Sequence, residues 1–199
     1  MDRRETWYTA DLHIGHRLIA DKRGFPTPEA HDTELAHRWD TTIGAEDTVW
    51  VLGDISAGGR TGQANALHWI ADRPGTKHLI SGNHDSPHPM HPDAHKYLPA
   101  YLKVFATVQQ AAHRTIAGQP ILLSHLPYLD STDPDDTHAR FDQWRLPNMG
   151  AWLLHGHLHT PRKTSGTRSL HIGLDAWELT PVSINAIARA IETEVNKEP

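Results

Sequence analysis

Five short stretches of this 199-residue chain carry side chains able to hold and use a metal ion: Asp11-Leu12-His13, Gly53-Asp54, Gly82-Asn83-His84-Asp85, Ser124-His125 and Gly156-His157-Leu158-His159. Four of them close an apolar run that reads as a buried strand, at Trp7–Ala10, Thr48–Leu52, Ile121–Leu123 and Trp152–Leu154. The GNHD stretch follows Lys77–Ser81, a weaker run of the same kind. Carboxylate and amide oxygens mixed with imidazole nitrogens, in a chain with no cysteine, suit Mn, Fe, Zn, Co or Ni. In open α/β sheets, ligands gather outside the carboxyl ends of the strands. Several strand ends are therefore expected to converge on one metal centre.

The elements that must position these residues are legible in outline. Thr27-Pro28-Glu29 has the form of an N-cap, a first-turn proline and an acidic first turn, with Leu35, Trp39 and Ile43 following at helical spacing. Ala64, Leu67, Ile70 and Ala71 predict a second amphipathic helix that stops near Pro74-Gly75. The second half changes character: Val104–Val108, His113–Ala117 and Ile121–Ser124 are predicted strands, the last two joined by a Gly118-Gln119 turn. Thr180-Pro181 is expected to start a closing helix striped by Ile184, Ile187, Ala188, Ile191 and Val195. Residues 86–99 and 127–150 have no periodicity, and because each follows a motif directly they are expected to border the site. The pattern alone gives an α/β fold with mixed sheets, in a single domain over residues 1–199.

Taken in order, D-x-H, G-D, G-N-H-D, H and G-H-x-H resemble the calcineurin-like metallophosphoesterase family, over most of the chain from Asp11 to His159. The Asp11–His16 stretch and the late Gly173–Trp177 stretch are similar to the small, cap-less phage and bacterial members, akin to class III cyclic nucleotide phosphodiesterases. The resemblance implies two packed mixed β-sheets flanked by helices, an αββα sandwich. It also implies two divalent ions, Mn foremost and Fe, Zn, Co or Ni the alternatives. Asp11, His13, Asp54 and His159 would hold the first ion; Asp54, Asn83, His125 and His157 the second. Ions about 3.5–4 Å apart repel, so a shared anion such as Asp54 is required between them. The neutral Asn83 oxygen leaves the centre net positive toward phosphate. Gly53, Gly82 and Gly156 sit beside ligands, where a tight turn or close approach favours a residue without Cβ. The implied chemistry is metal-hydroxide attack on phosphorus, with His84 protonating the leaving oxygen and Asp85 orienting His84 and favouring its charged form.

Other residues keep two readings. His16 either contacts phosphate or caps its loop. His155 is expected to face away from the ligands and support them. Asp175 and Trp177 either line the site's edge or, for Trp177, pack in the core. His88, His91 and His95 read as a solvated loop, and His31, His37, His68 and His78 as surface or interface groups.

The substrate expected is a small phosphodiester such as a 2',3'-cyclic nucleotide. Ser81 and Asp85 stand where protein phosphatases of the family carry arginine and glutamate. A formal charge of −5 and the Asp133–Asp136 loop argue against stable nucleic-acid binding. A nuclease or phosphomonoesterase of the same family is the alternative. A catalytically silent scaffold is the rival of another class, recognised by a broken ligand set, whereas His84 and every ligand stand here. No apolar run approaches the ~20 residues needed to cross a bilayer. The absence of cysteine and of a signal peptide leads to the expectation of a cytoplasmic protein.

Overall fold

The computed structural model describes residues 4–134, 136 and 139–196, with the backbone alone at 139 and 140. Strands β1 (Thr6–Thr9), β2 (Thr48–Val51), β3 (Thr76–Ile80) and β4 (Thr107–Gln109) run parallel in one sheet. A second sheet holds β5 (Ala111–Ile116), β6 (Gln119–Ser124), β7 (Trp152–His155) and β8 (Ser169–His171), antiparallel between β5 and β6 and parallel beyond. A short strand, β9 (Val182–Ser183), pairs antiparallel with β1 and completes the first sheet in the order β4-β3-β2-β1-β9.

Alternation along the strands builds the layers. Tyr8, Trp50, Leu52 and Ile80 pack in one core with Ile121, Leu123, Trp152, Leu154 and Leu170 of the second sheet. Val49, Val51 and Leu79 turn the other way, onto Leu35, Trp39, Ala66, Ile70 and Tyr101. These last belong to helices α2 (Pro28–Thr42), α3 (Arg60–Ala71) and α4 (Ala94–Tyr101); α1 (Arg17–Lys22) precedes them. The centre of the first sheet is thus buried on both faces, and β1 and β2 read as apolar runs for that reason. The closing helix α5 (Ile184–Val195) adds Ile187 and Ile191 to the inter-sheet core. The architecture is α/β, two mixed sheets flanked by helices, as expected. No described helix is long and apolar enough to cross a membrane.

Local boundaries depart from the sequence reading where elements are short. The run at Val104–Val108 is mostly a turn: Val104 and Phe105 donate back to the Tyr101 carbonyl, and the strand begins at Thr107. Residues 86–99 contain the start of α4, disguised by Pro99, which sits inside the helix without an N–H to donate. The hairpin turn is Ala117-Gly118, both at positive φ (51° and 75°), the two-residue geometry that matches strand twist. The last helix starts at Ile184, later than Thr180-Pro181, because Val182 and Ser183 are drawn into pairing with β1, and Ser183 Oγ accepts from Ala186 N as the cap.

Candidate metal centre

All the sequence-derived ligands lie just past the carboxyl ends of β1, β2, β3, β6 and β7. The chain there leaves the strand path sharply: Asp11, His13, Asp54, His157 and His159 all have positive φ, between 47° and 77°. For residues other than glycine this region is uncommon, with asparagine, aspartate and histidine the most tolerant, and it costs about 1–3 kcal/mol each. Backbone bonds between loops hold the turns: Asp11 N to Gly53 O and His13 N to Asp54 O, both 3.0 Å, and Gly156 N to His125 O, 3.0 Å. Gly53 and Gly82 meet where two loops cross. A Cβ on Gly53 would lie 2.7 Å from Gly82 Cα and collide with the His125 ring, so neither side chain nor loop has room to shift.

The donors collect into two adjacent groups, Asp11 with His13 and His159, and Asp54 with His125 and His157, each with ligand atoms within 4.8 Å of one another. The Nε2 atoms of His13 and His159 lie 3.1 Å apart. Asp54 Oδ2 is 3.3 Å from His125 Nε2 and 3.8 Å from His13 Nε2, which sets it between the groups. Asn83 Oδ1 is 3.1 Å from His125 Nε2, so Asn83 joins the second group. The other ring nitrogens are anchored from behind: His125 Nδ1 donates to Leu52 O at 2.7 Å, and His159 Nδ1 meets Asp175 Oδ2 at 3.0 Å. Such outer partners fix the tautomer and aim Nε2 inward. Asp175 is itself gripped by Arg23, which also donates to the Asp11 carbonyl.

Electrostatics match a site built for cations. Burial alone would raise Asp11 and Asp54, but the imidazoles of His171 and His159 around the first, and of His125 and His13 around the second, hold both carboxyls well below the usual range. Burial disfavours charge on His125, yet the Asp54 carboxylate outweighs it and pushes the imidazolium up to about 10. Burial also keeps His13 and His157 neutral, down to about 3 and about 4 respectively, so their nitrogens are free to ligate. Ionised carboxylates, imidazole nitrogens and one amide oxygen converging on a buried spot are a donor set that fits two divalent ions once His125 gives up its proton.

The residues around the ligands refine the sequence reading. His84 lies at the rim, its side chain 44% exposed and its Nε2 4.0 Å from Asp54 Oδ2. The expected partnership of Asp85 with His84 is corrected: the Asp85 carboxylate is buried and accepts from the N–H groups of Asp54, Ile55 and Gly82 at 2.8–3.1 Å. Three backbone donors hold it inward, so it ties the β2 and β3 loops together rather than orienting His84. Burial and the nearby Asp54 push its pKa above the usual carboxylate range. The His84 carbonyl is held instead by Gln63 Nε2 at 3.3 Å, and Gln63 in turn accepts from Ser86 N and the Tyr101 hydroxyl.

His155 faces away as expected, bonded to Ser165 Oγ and the Gly156 carbonyl. Trp177 packs against the core and donates to His171 O. The histidine-rich loop is not merely solvated: His88 is buried against Trp144, and His91 bonds the Asn83 carbonyl at 3.0 Å. His31, expected at the surface, is fully buried between Arg23 and Asp32. The acidic loop is largely neutralised, with buried Asp133 paired to Arg162 and Asp136 to Arg145; Asp135 lies outside the described residues. From residues 127–150, Phe141 reaches the His157 ring edge-on at 5.6 Å.

Arg23, Gln63 and His171 are site residues that the sequence reading passed over. Arg23, at the cap of α1, and Gln63, inside α3, carry no motif. His171 ends the three-residue strand β8, too short to announce itself in the sequence; its Nε2 lies 3.8 Å from Asp11 Oδ2.

No protein-family model matches the chain. The gene 66 protein of Mycobacterium phage L5 is 48% identical over 183 residues, covering 86% of this chain and 87% of that protein. The gene 66 protein of Mycobacterium phage D29 is 45% identical over 185 residues, covering 88% and 91%. Among solved structures, the protein of unknown function AQ665 from Aquifex aeolicus has a TM-score of 0.70 at 20% identity, over 94% of this chain and 100% of that one, a likeness of fold. The phosphopantetheinyl hydrolase PptH from Mycobacterium tuberculosis is more distant, with a TM-score of 0.47 at 13% identity, too weak to bear on activity.

Proposed function

The chain belongs to the family of the gene 66 proteins of mycobacteriophages L5 and D29, and for it we propose a two-metal phosphodiesterase acting on small diesters, 2',3'-cyclic nucleotides foremost. The observation that supports this reading is the meeting of two ligand groups across Asp54, at the ends of strands from both sheets. Asp11, His13, His159 and Asp54 would hold one ion, and Asp54, Asn83, His125 and His157 the other. Mn²⁺ suits the mix of imidazole with carboxylate and amide oxygen. Bound there, such a pair supplies a water acidified toward neutrality and neutralises charge on the phosphoryl oxygens.

The chain's own groups do the rest. The Leu52 carbonyl and Asp175 fix the His125 and His159 rings so that little reorganisation is needed when substrate arrives. Gln63 and Asp85 hold the backbone on either side of His84. His84, exposed at the rim and outside both ligand groups, gives a proton to the departing oxygen. A chain without cysteine suits a reducing compartment, and we place the enzyme in the cytoplasm.

The test is turnover of a panel of nucleotide diesters and monoesters by protein stripped with a chelator and reloaded with single metals. Restoration foremost by Mn²⁺, with 2',3'-cyclic nucleotides cleaved best, is expected. Full turnover in stripped protein would remove the metal reading, and a clear preference for monoesters would remove the diester assignment.

A further inference from the structure

We infer that His16 is a phosphate-binding residue, its imidazole donating a hydrogen bond to a non-bridging oxygen of the phosphoryl group seated at the two ligand groups. This rests on the two-metal reading and extends it to a residue outside the ligand set. His16 occupies the N-cap position of α1, where a polar side chain ordinarily bonds the first-turn N–H groups, yet its side chain makes no capping bond. Its backbone N–H closes a turn onto the His13 carbonyl at 3.0 Å. That turn lays the imidazole beside the centre, 5.5 Å from the His13 ring and inclined at 43°.

Two other imidazoles flank the same His13 ring, His159 at 4.8 Å and His84 at 5.6 Å. His159 is tied from behind by Asp175. His16 has no such tie: its Nδ1 is shielded from solvent and lacks a hydrogen-bond partner among the described residues. A shielded nitrogen without a partner costs about 1–3 kcal/mol, and such groups in native structures call for a reason. His16 is not in either ligand group, so metal ligation does not supply that reason. A phosphoryl oxygen, the strongest acceptor a diester brings, does: no hydrogen bond among the described residues holds that nitrogen, so the ring can turn about Cβ–Cγ and bring it out of its shielded position to the substrate. His84 and His16 then divide the substrate between them, one at the leaving oxygen and one at an oxygen that stays on phosphorus.

The experiment compares Mn²⁺-loaded wild type, His16→Ala and His16→Asn, the last retaining an N–H near the position of Nδ1. Metal content is measured by elemental analysis and affinity for inorganic phosphate by calorimetry. kcat/KM is measured on a nitrophenyl diester and on a nucleoside diester. His16→Ala should keep two ions, bind phosphate about 10- to 100-fold more weakly, as expected for one lost hydrogen bond to a charged group, and lose kcat/KM by a similar factor on both substrates. His16→Asn should recover part of the phosphate affinity. Unchanged phosphate affinity in His16→Ala overturns the assignment. So does loss of an ion, which makes His16 a ligand, or a loss confined to the nucleoside diester, which makes it a proton donor. Wild type that binds no Mn²⁺ overturns the two-metal reading itself, and this inference with it.

Discussion

Left-handed backbone at five candidate ligands is the price of aiming them, since a strand that simply continued would point alternate side chains to opposite faces. Nothing in the one-letter pattern announces that strain, although aspartate and histidine are the residue types that tolerate it. The two candidate ligand groups are legible because residue type and position at strand ends coincide. The role of Asp85 is not legible, because a neighbour of His84 in sequence need not be its neighbour in space; in the fold its carboxylate turns in toward Asp54 N and Ile55 N. His84→Ala should retain its metals and lose activity on a nucleoside diester by ~10²–10⁴-fold, with a much smaller loss on a nitrophenyl diester, whose leaving group departs without a proton. Kinetics on the two substrates decide it; equal losses would make His84 a binding residue. A second expectation follows from His125. With its pKa pushed up to about 10 by Asp54, the metal-free site carries a proton that an incoming ion must displace. Metal affinity should therefore rise with pH throughout the range below about 10. Calorimetry in buffers of different ionisation enthalpy should detect proton release on loading, and a pH-independent affinity would contradict it.

Elements with a clear apolar run or stripe declared themselves and those without did not. Strands β1, β2, β6 and β7 close apolar runs and helices α2, α3 and α5 carry apolar stripes; α1, α4, β8 and β9, of two to eight residues, show neither. Yet the short elements brace the site. Arg23, at the C-terminal cap of α1, is almost wholly buried and reaches both oxygens of Asp175 at 2.8–3.0 Å, joining α1 to the turn after β8 and, through Asp175, to His159. Removing one partner of a buried ion pair leaves the other uncompensated. Arg23→Ala should therefore lower unfolding free energy by about 3–5 kcal/mol, measurable by denaturant titration. Arg23→Lys should recover little, because an ammonium cannot reproduce the two-pronged contact. A shift under 1 kcal/mol for Arg23→Ala would mean the pair is not a brace.

At the scale of the molecule, an α/β fold with mixed sheets was legible in the pattern, because burial on both faces turns the central strands into continuous apolar runs, whereas the packing of two sheets was implied only by the family resemblance. The charge of the second long loop was not legible, since a sequence cannot show that Asp133 and Asp136 are matched by Arg162 and Arg145 from farther along the chain. The expectation of weak nucleic-acid binding then rests on the net charge of −5 rather than on that loop. Small diesters should still be cleaved with higher kcat/KM than duplex DNA, and the salt dependence should be shallow, since each phosphate neutralised steepens the slope by ~0.9. A duplex preference that collapses with salt would establish the nuclease alternative. The most direct measurement of the central claim is the metal content of wild type and Asp54→Ala after reloading with Mn²⁺. Two ions per chain in wild type and loss of both in Asp54→Ala are predicted, because Asp54 alone stands between the two ligand groups. Two ions retained in Asp54→Ala, or none bound by wild type, would contradict the account.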